Sequence, residues 1–121
     1  MAVNANCVFC DIAAGKIQTP FIYEDDDVIA FADMRPIAPT HVLVIPRAHY
    51  DTLAHVATGS DAKSAALLGK LLQVAGALGR QLAQKDGGYR VVINNGPSAG
   101  QTVYHVHLHV LSGRHFAWPP G

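Results

Sequence analysis

Apolar and polar positions alternate most regularly near the C-terminus, in His105-Val106-His107-Leu108-His109-Val110-Leu111. Side chains of a β-strand alternate faces with a period of two, so this run predicts a strand over Val103–Leu111. Val106, Leu108 and Val110 then enter a core, and three imidazoles project from the opposite face, roughly 6.5–7 Å apart. Further upstream, Phe21–Glu24, Val28–Ala32, His41–Pro46 and Tyr89–Ile93 read as strands bounded by turn residues. Asp25-Asp26-Asp27 forms the turn between the first two. Pro36 and Pro39 make Met34–Thr40 a loop. Leu68, Leu71, Leu72, Ala75, Leu78 and Leu82 recur at helical spacing and predict a long helix from Asp61 to Lys85, with Ser60 as N-cap. Gly69, Gly76 and Gly79 inside it suggest close approach of another helix or subunit, or plain tolerance of glycine. A short helix over residues 8–14 ends at Gly15. Asp86-Gly87-Gly88 ends the long helix, and Asn95–Gly100 forms a loop. One long and one short helix with five strands predict an α+β domain built on an antiparallel sheet.

Composition narrows this picture. The 121 residues are 50% hydrophobic and only 15% charged, which suits one packed domain spanning 1–121 and argues against disorder. Residues 1–6 read as a flexible N-terminus and 112–121 as a C-terminal tail, where the lone tryptophan, Trp118, must pack somewhere. Nine basic residues balance nine acidic ones, which disfavours a nucleic-acid binder without excluding a small anion. No apolar run spans a membrane, and no signal-peptide pattern opens the chain. With only two cysteines, close together, the expectation is a reduced, cytoplasmic protein.

Three histidines on one strand face point to chemistry. Neutral imidazole is a good nucleophile towards phosphorus, and its neighbours can set its tautomer and protonate a leaving group. His107, the central member, is the candidate nucleophile. A polar outer face and a three-histidine catalytic zinc site are the alternatives. Gly100-Gln101-Thr102 offers backbone amides and a hydroxyl to an anion, or is an ordinary loop. Asn94 either points into the same pocket or forms a turn. Cys7-Val8-Phe9-Cys10 supplies two of the four ligands of a structural zinc, with His49 a candidate third; the alternative is two free, half-buried thiols. His55 and His115 read as surface residues.

The run His105–Leu111 resembles the histidine-triad signature, His-φ-His-φ-His-φ-φ with φ apolar. Asp33, Pro39-Thr40-His41, Val42–Pro46, Gly100-Gln101-Thr102 and the terminal Trp118-Pro119-Pro120-Gly121 are similar to the histidine triad nucleotide-binding branch, whose members are purine nucleoside phosphoramidases. The likeness runs from Cys7 to Gly121. It implies the five-stranded HIT-like fold, continuous across a homodimer, and hydrolysis of adenosine 5′-phosphoramidate or AMP-lysine to AMP and an amine. By that resemblance His107 is the nucleophile, His105 hydrogen-bonds and orients it, and His41 supports the array. His109 lies near the phosphate atoms and assists proton transfer; related nucleotidyltransferases carry Gln there. Asp33 holds the ribose hydroxyls, Phe9, Ile12, Ile17, Phe31 and Met34 line the base slot, and Asn94, Gly100, Gln101 and Thr102 meet the phosphate, with Thr102 standing where many relatives have Ser. Trp118 would reach the partner subunit. The chemical step would need no metal. The likeness also implies, for some members, a structural zinc on Cys7, Cys10, His49 and His105. Such a zinc would compete with His105 for donation to His107. Two other functions stay open: hydrolysis of dinucleoside polyphosphates, which the short chain and Trp-Pro-Pro-Gly tail disfavour, and a nucleotide-binding scaffold acting through partners.

Overall fold

The computed structural model describes residues 6–58, 62–83 and 87–121. Ser60, Asp61, Lys85 and Asp86, placed above at the ends of the long helix, lie outside the described residues, as do residues 1–5. The elements are α1 (Val8–Ala13), β1 (Tyr23–Glu24), β2 (Val28–Ala32), β3 (Thr40–Pro46), α2 (Leu53–Ala57), α3 (Ala62–Leu82), β4 (Arg90–Ile93) and β5 (Leu108–Ser112), with a 3₁₀ turn at Pro97–Ala99. All strand pairs are antiparallel, in the order β1-β2-β3-β5-β4. The α+β class and five-stranded sheet follow the apolar pattern. No helix among the described residues is long and apolar enough to cross a membrane.

Each face of the sheet has its own cover. Val28, Ala30, Val42, Val44, Leu108 and Val110 pack against Leu71, Val74, Ala75 and Leu78 of α3. On the opposite face, Ile29, Phe31, Leu43 and Ile45 pack with Cys7, Phe9, Cys10 and Ile12 from α1 and its N-cap. Strand alternation puts His41, beside Leu43, and His109, opposite Leu43, on this second face.

Several boundaries differ from the sequence reading. β5 begins at Leu108, not Val103, because Tyr50 captures the Val106 N–H (2.7 Å) away from a sheet partner. β1 keeps only Tyr23 and Glu24. Helix α2 has no counterpart in the apolar pattern: its five residues are too few for a periodic signal, although Thr52 caps it by accepting the His55 N–H. On α3, Leu72 (54% exposed) and Leu82 turn outward, and Val74 with the partly buried Leu67 takes their place on the inner stripe. Gly79 serves a side chain, not another helix, since a Cβ there would overlap the ring of Tyr89. Trp118 is 82% exposed.

Candidate active site

The three histidines stay adjacent although only His109 belongs to the ladder. The rings of His107 and His109 lie 5.0 Å apart, and Phe9 meets both His105 (5.9 Å) and His107 (5.3 Å) edge-on. His105, His107 and His41 are buried and His109 half-buried. Burial pushes all four below the ordinary imidazole range, His105 and His109 to about 4, because a low-dielectric surround disfavours the cation. All four rings are therefore neutral near pH 7.

Backbone carbonyls and amides set their tautomers. A carbonyl only accepts, so the 2.8 Å contact from His107 Nδ1 to the His105 oxygen is an N–H donation, which leaves the Nε2 lone pair of His107 unprotonated. At His41, Nδ1 accepts the Ile37 N–H (3.1 Å), so the ring proton sits on Nε2. That proton points to His109 Nδ1 (2.9 Å) and Asp33 Oδ2 (3.3 Å). Because burial outweighs the pull of Asp33 on His41, this is a hydrogen-bonded cluster, not an ion pair. His109 accepts at Nδ1 and so carries its proton on Nε2. Asp33, His41 and His109 also converge closely enough to hold a cation, but the proton on His41 Nε2 already joins them.

His41 thus orients His109 and not His107. The orienting role expected of the His105 imidazole belongs to its carbonyl, because the ring is turned into a second cluster. There His105 Nδ1 lies 3.3 Å from Cys7 Sγ, 3.6 Å from Cys10 Sγ and 3.2 Å from His49 Nδ1; Cys10 Sγ lies 3.3 Å from His49 Nδ1. His105 Nε2–H donates to the Pro46 carbonyl (2.8 Å), and His49 Nε2–H donates to Asp51 (2.6 Å). Both Nδ1 lone pairs therefore face the two sulfurs. All four atoms lie within 4.8 Å of one another. A tetrahedral zinc, with Zn–S about 2.3 Å and Zn–N about 2.0–2.1 Å, spaces its ligands about 3.3–3.8 Å apart. Outer donation from each ring to a carbonyl and a carboxylate is the support that metal-bound histidines use. The residues fit a structural zinc. Burial raises the Cys7 thiol, and a cation would reverse that by binding the thiolate.

Asp33 accepts the Arg35 N–H at Oδ1 (2.8 Å) and approaches His41 through Oδ2, so part of its four-lone-pair capacity remains for hydroxyl donors. The expected base-slot residues differ in exposure. Phe9, Ile12 and Phe31 are buried in the core, Phe9 against the rings of His105 and His107, while Met34 is 95% exposed. Ile17 lines an outer cleft of about 500 Å³ with Ile12 and Phe21. Gly100 ends the 3₁₀ turn with φ +94, a conformation that favours glycine, and Thr102 is exposed. The Gln101 amide has no free donor for an anion: it donates to the Asp51 and Val103 carbonyls and accepts the Gly96 N–H. It braces the loop instead. Asn94, just after β4, is half-buried.

Sequence reasoning missed Ile37, Pro46, Tyr50 and Asp51. Three act through backbone groups, which leave no mark on residue identity. Asp51, two residues from His49, was the one legible signal.

The sequence model of the HIT domain family matches residues 14–116. The chain is 46% identical over 114 residues to the 14 kDa zinc-binding protein of Zea mays, across 94% of this chain and 87% of the maize protein. Protein HitA of Neisseria gonorrhoeae is 39% identical over 106 residues, across 88% and 94% of the two chains. Among solved structures, a HIT family hydrolase from Legionella pneumophila Philadelphia 1 superposes with a TM-score of 0.80 at 43% identity, covering 96% of this chain and 100% of that one. A histidine triad protein from Clostridium difficile superposes with a TM-score of 0.84 at 36% identity and 97% coverage of both chains.

Proposed function

The chain belongs to the HIT domain family, and from that premise and its histidine geometry we propose that it is a hydrolase, a purine nucleoside phosphoramidase working through a nucleotidyl-histidine. The observation that carries this reading is the donation of His107 Nδ1–H to the His105 carbonyl, which keeps the Nε2 lone pair for attack. His107 Nε2 attacks the phosphorus of an AMP or GMP phosphoramidate. The P–N bond to the amine breaks, and the amine takes up a proton relayed from solvent through the neutral His109. Water then attacks the nucleotidyl group, the P–N bond to His107 breaks, and the nucleoside monophosphate leaves as one proton returns through His109. Asp33 receives the ribose hydroxyls, and the Asn94 and Gly100–Thr102 segments border the phosphate.

Cys7, Cys10, His49 and His105 would hold a structural zinc, a reading that the name of the maize relative supports. When bound, that ion supplies a cross-link between α1, the chain after β3 and the approach to β5, and no step of the reaction. The working unit is a homodimer in which Trp118 covers the partner's site; its exposure in the single chain supports this.

His107→Ala is expected to lower the kcat for adenosine 5′-phosphoramidate by about 10³-fold or more while AMP still binds. Steady-state kinetics with AMP titration checks this, and near-normal turnover by the variant would reject the nucleophile.

A further inference from the structure

Among the described residues, His105 alone belongs to both histidine clusters. Its ring sits in the thiol–imidazole cluster, and its carbonyl sets the tautomer of His107. That carbonyl shares one peptide group with the Val106 N–H, so the orientation of a single plane decides where the oxygen points. The β5 ladder does not hold this plane, since β5 begins at Leu108. The plane is held instead by the end of β3 and the segment after it. The Tyr50 carbonyl accepts the Val106 N–H at 2.7 Å. The His105 ring donates to the Pro46 carbonyl at 2.8 Å and meets His49 Nδ1 at 3.2 Å. His49 and Tyr50 are consecutive, so the ring that meets His105 and the carbonyl that anchors the peptide sit on adjoining residues of one segment. Cys7 and Cys10 close the cluster from α1.

We infer that Cys7, Cys10 and His49 are positioning residues for the nucleophile: a zinc ion on their site locks the His105–Val106 peptide and thereby holds His107 with its proton on Nδ1 and its lone pair on Nε2. The conflict between zinc binding and orientation of His107 disappears, because the two tasks use different atoms of His105. The inference rests on the zinc and phosphoramidase readings, and its test separates their failures from its own.

The full chain, purified without chelator, is compared with chelator-stripped, metal-reloaded, Cys10→Ser and His49→Ala protein. All are measured at one neutral pH and at a temperature where thermal melting shows each to be folded. Nitrogen-15 spectra of the imidazoles report the tautomer of His107 without any turnover. The zinc-loaded protein is expected to show a single Nδ1–H form. The stripped protein and both variants are expected to show mixed tautomers. Their kcat for adenosine 5′-phosphoramidate should fall about tenfold, the usual scale for losing an outer-shell support. Their AMP dissociation constant should stay within about twofold, since the ribose and phosphate contacts are untouched. Reloading should restore the stripped protein and leave both variants impaired. A merely structural cluster would lower the melting temperature and leave tautomer and kcat alone, and that result in folded protein overturns the inference. Zinc well below one per chain rejects the zinc reading while the two variants still test positioning. Absence of phosphoramidate turnover rejects the enzymatic reading while the spectra still decide the inference.

Discussion

His109 carries one proton assignment and one burial effect, and both have consequences in solution. Burial, with His107 and His41 close by, pushes it to about 4, while Asp33 pulls weakly the other way. In the unfolded chain it titrates near 6.5. Between about pH 6.5 and pH 4 the unfolded state therefore binds a proton that the folded state refuses. This ring's contribution to stability therefore falls as pH falls through that window and adds no slope above it. His105, His107 and His41 are lowered in the same direction and add to the slope. Urea midpoints at pH 7.5, 6 and 5 should decline in that order, and His109→Gln should flatten the decline. A constant midpoint would mean that these rings are solvated. Residue identity exposed the four histidines and Asp33 as candidates. It did not assign their protons, because the deciding partners are the backbone groups of His105 and Ile37.

Among the elements, α3 shows how one residue type serves opposite ends. Nothing lies within 4 Å of a Cβ added at the exposed Gly69, whereas one at Gly79 would overlap Tyr89. Gly69→Ala should therefore stabilise by about 0.5–1 kcal/mol, the ordinary helix-interior difference. Gly79→Ala should destabilise by about 1–3 kcal/mol, the usual scale of overpacking. Denaturant unfolding of the two variants checks the opposite signs; equal effects would show that the Tyr89 ring moves aside. The apolar period located α3, the central strands and the sheet. It overran the start of β5 because His105 and His107 keep the alternation of a strand before the hydrogen-bonded ladder begins. Helix α2 left no such trace, being only five residues long.

At the scale of the molecule, two features among the described residues bear on assembly. β4 is an outer strand of the sheet, and the Trp118 side chain stands in solvent. An open strand edge readily pairs with another chain. The proposed dimer predicts a two-chain particle in sedimentation equilibrium and a shielded Trp118 by fluorescence quenching. A monomer with fully quenchable tryptophan at micromolar concentration would contradict it. Removal of the residues after Gly113 should then change the preference among amine leaving groups more than AMP affinity.

The sequence alone determined the two-faced sheet, the helix that covers one face and the identity of the reactive side chains, because burial periodicity and imidazole chemistry are local properties of residue order. Only the tertiary structure decided how the work is divided. It brings Cys7 and Cys10 from the N-terminus, and His49 from beyond β3, to the ring of His105. It turns the His105 carbonyl to His107 and sets Ile37 against His41. Each of these is a meeting of atoms distant in sequence or hidden in the backbone, and a proton's position follows from such meetings.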